Sequence, residues 1–338
     1  MKVQMKSRAF TMIELMVVLV VIAVIIAALL PAIGRSGRPG GSRQLKDSTQ
    51  VRGIQQGMVV WANNNKDKYP VPSELDKDPL NPTSDGEGAQ KDTTRNIISI
   101  LIYNQAFSPE LCVSPAEVNP DIKVDAGYAY QLPPVKGGDN KAALWDPSFL
   151  AYPDDAKAGV KPISRANGPS TTGGLSYAHV PPFGGRTTMW ANTFEANQAV
   201  IGNRGPTYTL SGEKWTLDTT SPRGGVGSPV PSDKSNTLRI HGGRNTWEGN
   251  IAYNDNHVNY ETAPDPETLP FTFGSGTATK AFRDNLFAAE NNGDLRRARQ
   301  PEDLSTPEGM NGSDNYLRGY VDVTVTDGAA SGIKPFFD

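Results

Sequence analysis

Hydrophobic residues along this chain follow three different patterns. The first is continuous: residues 15–33 form a run of nineteen without an ionisable side chain, and Glu14 is the only charge within 10–33. As a helix rising 1.5 Å per residue, that run is about 28 Å long, close to the ~30 Å hydrocarbon thickness of a bilayer. It predicts a transmembrane helix over 10–33. The second pattern is helical. Val51, Ile54, Met58 and Trp61 share one face of an amphipathic helix starting near residue 45, and Asn63, Asn64, Asn65 and Pro70 predict its end. Gly53 and Gly57 lie four apart on it, and either admit a close neighbour or merely weaken the helix. The third pattern alternates. Val321, Val323 and Val325 interleave with Tyr320, Asp322, Thr324 and Thr326, which predicts a strand with one buried and one wet face.

Between these landmarks the signals are shorter. Strands are predicted at 111–113, 175–180, 199–202, 208–210, 237–240 and 250–260, and short helices at 94–103 and 282–291. Residues 71–92 read as loop, and about 133–173 as a Gly/Pro/Asp-rich insertion. Four glycines and Pro39 within 34–44 predict a linker that breaks any helix continuing out of the membrane run. The sum is an α+β fold: a transmembrane helix, then an amphipathic helix packed on an antiparallel sheet with long Gly/Pro-rich loops. The domain organisation reads as a basic leader (1–9), a transmembrane helix (10–33), a linker (34–44) and an α+β domain (45–338).

Composition sharpens this picture in three ways. Mean hydropathy is −0.45 despite the apolar run, so the rest of the chain is very polar. The 34 glycines and 27 prolines among 338 residues predict many turns over a modest core. A net charge of −3 supplies no general attraction to nucleic acid, and no partner of that kind is expected. The single cysteine, Cys112, excludes an internal disulfide and is expected to be buried as a small hydrophobe.

The apolar run has an unusual start. Lys2, Lys6 and Arg8 precede it, no small-x-small cleavage site follows it, and Glu14 sits in its first turn. A carboxylate there is costly in lipid, and a plain anchor gives no reason to keep it. If the chain is cut before Phe10, the new α-amine lies one helical turn from Glu14, and the two charges neutralise one another. The stretch Ala9-Phe10-Thr11-Met12-Ile13-Glu14-Leu15 resembles the prepilin cleavage and methylation motif of type IV pilins and type II secretion pseudopilins. The resemblance implies that a prepilin peptidase cuts between Ala9 and Phe10 and methylates the Phe10 amine, and that Glu14 guides assembly. Pro31 matches the helix-bending proline of those proteins, whereas Ala9 stands where they usually have Gly. The resemblance further implies a single-pass protein of the cytoplasmic (inner) membrane, with its bulk in the periplasm. Its partners would be other pilin or pseudopilin subunits, an inner-membrane assembly platform and membrane lipid.

Candidate chemistry concentrates in 241–261, where His241, Glu248, Asp255, His257 and Glu261 lie close in sequence. On a strand Asp255 and His257 share a face, and with His241 they offer N and O ligands to a metal. The competing reading is a hairpin that turns at His241, Gly242 and Gly243 and returns through 250–258. Glu248 and Glu261 are the acid/base alternative, with no distance between them fixed. The block also resembles the large pseudopilin-like proteins of planctomycete-type bacteria, in which a His followed by glycines precedes a strand ending in Asp-Gly. Here the His241–Asp255 spacing is longer, and Asn256 replaces that Gly. Residues 274–280 lack the spacing of a phosphate loop, and Ser176 with His179 has no nucleophile-elbow context. The sequence predicts a structural subunit, not an enzyme, with no cofactor and no metal. The alternative is a membrane-tethered binding or hydrolytic protein using His241, Asp255 and His257.

Overall fold

The computed structural model describes residues 12–13, 15–21, 41–77, 86–130, 145–155, 172–220, 231–243, 245–296, 302–304 and 306–338. The chain divides into two compact units, Met1–Arg43 and Gln44–Asp338. In the first, residues 12–13 and 15–21 are helical. Their apolar side chains are open, from Val18 at 48% exposure to Met12 at 86%. Contiguous apolar surface of this kind marks contact with lipid or another protein. Among the described residues no helix is long and apolar enough to cross a membrane. The remainder of the predicted membrane helix, with Ala9, Phe10, Glu14 and Pro31, lies outside the described residues, as does 34–40 of the predicted linker.

The second unit is built on helix α1 (Gly41–Asn64), which begins inside the stretch expected to be linker. It buries Asp47, Val51, Ile54, Gln55, Gly57, Met58 and Ala62, while Arg52, Gln56 and Val60 on the other side are exposed. The two glycines do admit a neighbour. A Cβ at Gly53 would lie 2.8 Å from Leu111 Cδ2, and one at Gly57 would lie 2.7 Å from Phe107 Cδ1. At Gly53 only the end of the Leu111 side chain would have to move, whereas at Gly57 the Ala106 carbonyl oxygen at 3.1 Å also stands in the way, and a side chain there would press α1 off this segment. Helix α2 (Thr94–Tyr103) forms as predicted and is buried over most of its length.

Among the described residues the named strands all pair antiparallel. The main sheet has the order β1 (Tyr177–His179), β2 (Ala199–Asn203), β5 (Gly249–Tyr253) and β6 (Val258–Glu261). Three hairpins stand beside it: β3 (Tyr208–Ser211) with β4 (Lys214–Leu217), β7 (Pro270–Ser275) with β8 (Ala278–Arg283), and β9 (Tyr320–Thr326) with β10 (Ala329–Pro335). Strand β9 shows the alternation read from its valines over 321–324, with Val321 and Val323 buried and Asp322 and Thr324 exposed, but Tyr320, expected on the wet face, is fully buried. It turns into β10 at Asp327 and Gly328, whose φ angles of 52° and 80° are those of a tight hairpin turn. The core gathers Val51, Ile54 and Met58 of α1, Ile97 and Leu101 of α2, and Tyr177, Ile201 and Ile251 of the sheet.

Several expectations are corrected. Residues 111–113 are not a strand: Pro109–Cys112 is a 3₁₀ turn started by its proline, although Cys112 is buried as expected. Residues 237–240 are not a strand either. In the 3₁₀ turn Asn236–Arg239, the Ser235 hydroxyl accepts from Thr237 N and captures the backbone locally. The predicted strand 250–260 is two strands joined by a turn at 254–257, where Asn256 has φ 69°. The predicted helix 282–291 is instead the end of β8 followed by turns. Within the supposed insertion, residues 145–155 are core, with Trp145, Phe149 and Tyr152 buried. Two carboxylates satisfy this irregular buried backbone: Asp146 accepts from Ser148 N and Ala129 N, and Asp155 from Ala151 N and Tyr152 N.

Candidate functional site

The three histidines occupy three separate environments. His241 follows the 236–239 turn and reaches α1, where its Nε2–H donates to Asp47 Oδ2 over 2.8 Å. Asn250 Nδ2 on β5 donates to the same oxygen at 2.6 Å, and the Tyr177 hydroxyl on β1 donates to Oδ1 at 2.8 Å. Asp47 is fully buried. Burial alone would raise its pKa, but the hydrogen bonds and charge of His241, with Ser114 and Asn250, outweigh this and hold it below the usual carboxylate value. One carboxylate on α1 therefore ties the helix to two strands of the main sheet and to the 241 turn. Gly242 is needed for that turn, since a Cβ there would lie 2.2 Å from Thr246 O.

Asp255 and His257 sit together at the β5–β6 turn, not on a shared strand face. Asp255 Oδ1 accepts from His257 N at 3.1 Å and from His257 Nδ1, and the imidazole stacks on Tyr253 with centroids 4.4 Å apart. They brace this hairpin, whereas His241 is engaged with Asp47. Among the described residues the three do not form a ligand group. Glu248 and Glu261 are likewise engaged separately, accepting from the Tyr260 and Tyr253 hydroxyls at 2.7 and 2.8 Å.

His179 is fully buried on β1. Its Nδ1 lies 2.9 Å from Val180 O and its Nε2 lies 2.9 Å from Thr94 Oγ1, which itself accepts from Tyr320 N. A carbonyl only accepts, so Nδ1 carries the proton and Nε2 takes one from Thr94. Burial lowers the His179 pKa to about 4. A histidine neutral in the fold and protonated when unfolded adds stability that is complete above its unfolded pKa of 6.5 and is lost as pH falls toward 4. We predict that imidazole NMR shifts of His179 report the Nδ1–H tautomer and do not titrate between pH 7 and 5. A midpoint near 6.5 would contradict this.

Sequence patterning missed Asp47 as a site residue, although a signal was available. It lies four residues before Val51, so a carboxylate occupies the apolar stripe of α1. Patterning also missed Asp284, Glu290 and Asp314, which only tertiary structure brings together.

The one hydroxyl–imidazole pair described above, Thr94 with His179, is fully buried and out of reach of a substrate, and the feature with a recognisable counterpart lies elsewhere. Residues 4–30 match the family model described as the prokaryotic N-terminal methylation motif. The chain carries that motif. No curated protein and no solved structure matches the chain. The motif is that of type IV pilin-like and pseudopilin precursors, so the predicted resemblance holds at this level. It implies processing by prepilin peptidase and assembly with other pilin subunits in general, and suggests a structural rather than catalytic protein that is membrane-anchored, at the surface or outside the cytoplasm. The matched segment includes Ala9, Phe10 and Glu14, and ends one residue short of Pro31.

Proposed function

We propose that this chain is a pilin- or pseudopilin-like structural subunit. It is cut between Ala9 and Phe10, methylated at Phe10 and held in the inner membrane by residues 10–33. The α+β domain then stands in the periplasm, and subunits assemble helix to helix on an inner-membrane platform into a secretion pseudopilus or a surface fibre. The observation that carries this reading is the methylation motif at 4–30, with Glu14 placed one turn beyond the cut. The basic leader with Lys2, Lys6 and Arg8 keeps the cut site on the cytoplasmic face. A long helix packed on an antiparallel sheet is the architecture such a subunit would use. The His241, Asp255 and His257 set offers no support for a hydrolytic role, because its members are engaged apart.

Mass spectrometry of the N-terminal peptide from membranes tests the reading. The expected peptide begins at Phe10 and is heavier by one methyl group. A mature chain beginning beyond Ile33 would mean ordinary signal cleavage and would overturn it. Co-purification with a pilus-type assembly apparatus would identify the machine.

A further inference from the structure

The second unit buries a group of acids that assembly through the N-terminal helix does not use. Asp284 follows β8, Glu290 lies six residues later, and Asp314 precedes β9. One oxygen from each lies within 4.8 Å of the others. Asp284 and Asp314 are fully buried, and Glu290 is 2% exposed.

Protein donors reach only some of their oxygens. Asn315 N and Nδ2 donate to Asp284 Oδ2 at 2.6 and 2.9 Å, and Asn285 N to Glu290 Oε2 at 2.8 Å. Asp314 accepts from Glu290 N at 3.0 Å on Oδ2 and from Arg186 Nη2 on Oδ1. Among the described residues no N–H or hydroxyl reaches Asp284 Oδ1 or Glu290 Oε1, both of them buried. These two carboxyl groups are also within reach of each other. Unsatisfied carboxylate oxygens facing one another in a dry interior are strongly unfavourable without a positive charge between them. Among the described residues Arg186 is the one cation bonded to the group, so the three acids, when all are ionised, leave a charge of −2 beside its guanidinium.

We propose that Asp284, Glu290 and Asp314 bind a divalent cation, specifically Ca²⁺. The charge left over equals that of the ion. The donors are all carboxylate oxygens, a hard set that suits Ca²⁺ or Mg²⁺ and not a thiolate- or imidazole-seeking metal. Hydration separates these two. Mg²⁺ gives up its waters reluctantly and is usually held by only one or two carboxylates, whereas Ca²⁺ accepts a flexible set of protein oxygens. Three acids buried together, with oxygens no more than 4.8 Å apart, match Ca²⁺ better. The ion joins the 284–290 connection to the 311–315 loop and, through Arg186 on Asp314, to the Gly184–Thr188 turn. Gly312 keeps the loop tight there, because a Cβ would meet both Arg186 Nη2 and Asp314 Oδ1 at 2.4 Å. The rival occupant is a proton: burial and the neighbouring carboxylate raise the pKa of Asp284 and Glu290 alike.

The full chain in detergent distinguishes the two occupants. It would be purified in Ca²⁺, dialysed, and analysed for metal content, then melted with Ca²⁺, with Mg²⁺ or with EGTA. One equivalent of Ca²⁺ per chain is expected, with a melting temperature about 5–10 °C higher in saturating Ca²⁺ than in EGTA. Mg²⁺ at the same concentration should give less than half that shift. Glu290→Gln, which keeps the shape, should bind Ca²⁺ at least tenfold more weakly and lose the shift. Glu248→Gln should retain both. A wild-type chain with no bound Ca²⁺ and the same melting temperature in Ca²⁺ and EGTA would overturn the proposal, and this measurement needs no variant to fold. An equal or larger shift with Mg²⁺ would overturn the assignment to Ca²⁺.

Discussion

Replacing Asp47 with Ala is expected to lower the stability of the folded domain by about 3–5 kcal/mol, because it strands three buried donors at about 1–3 kcal/mol each. The substitution removes little apolar contact, so the cost lies in what stays behind. The Tyr177 hydroxyl, Asn250 Nδ2 and His241 Nε2 all aim at the Asp47 carboxylate. A methyl group in its place leaves those buried donors without their acceptor. Asp47→Asn should recover little, because one end of the amide is itself a donor and would face donors. Thermal melts of the full chain in detergent, followed by near-UV circular dichroism, measure both variants. The His241→Ala change should cost much less once Asp47 is already Ala, since the pair acts as one unit. Additive effects would mean that His241 stabilises the fold by another route. The clamp is also acid-sensitive. Asp47 has a folded pKa below its unfolded value of about 3.8, so its contribution is complete above that pH and is lost as pH falls through the folded pKa.

What could be read from the sequence was what is local. The stripe Val51, Ile54, Met58 defined α1 and the valines of 320–326 defined β9, because each shows its buried face within a few residues, whereas 94–103 is buried all round and was read as a helix from the loops that flank it and Ser108-Pro109. The N-terminal motif was legible for the same reason: it is a linear signal read by an enzyme, not by a fold. Residues 145–155 failed because their burial rests on Trp145, Phe149 and Tyr152 set among Pro and Asp. There the carboxylates of Asp146 and Asp155, not a helix or strand ladder, satisfy the backbone. Strand β10 failed because Ala330, Ser331 and Gly332 show no alternation and the register shifts between Ala330 and Gly332. The Asp327-Gly328 pair was the available turn signal. The His241 region was recognised as special, but the contact that engages it was not. Its partner, Asp47, lies 194 residues away in sequence, and no spacing rule joins them.

The second large effect is expected at Glu14, and it bears on function instead of stability. Cleavage before Phe10 creates a cationic amine at the membrane edge, and Glu14 is the sole anion in the apolar stretch that follows. An ionised side chain at the centre of a membrane helix costs about 2.5–3.5 kcal/mol on insertion scales. Removing Glu14 therefore should not impair insertion, and the cut site one turn upstream stays intact. In a packed bundle the amine of one subunit can pair with the Glu14 of its neighbour, where low dielectric strengthens the attraction. Truncating one partner of a buried charge pair costs about 2–5 kcal/mol, which corresponds to more than about a tenfold loss of association. We predict that Glu14→Ala is inserted and processed as wild type, while cysteines placed along 15–33 yield at least about tenfold less cross-linked multimer. Glu14→Asp should retain part of the yield, because the charge remains and only its reach shortens. Wild-type multimer from Glu14→Ala, with processing confirmed by mass, would reduce the N-terminal helix to a tether and leave assembly to the folded domain.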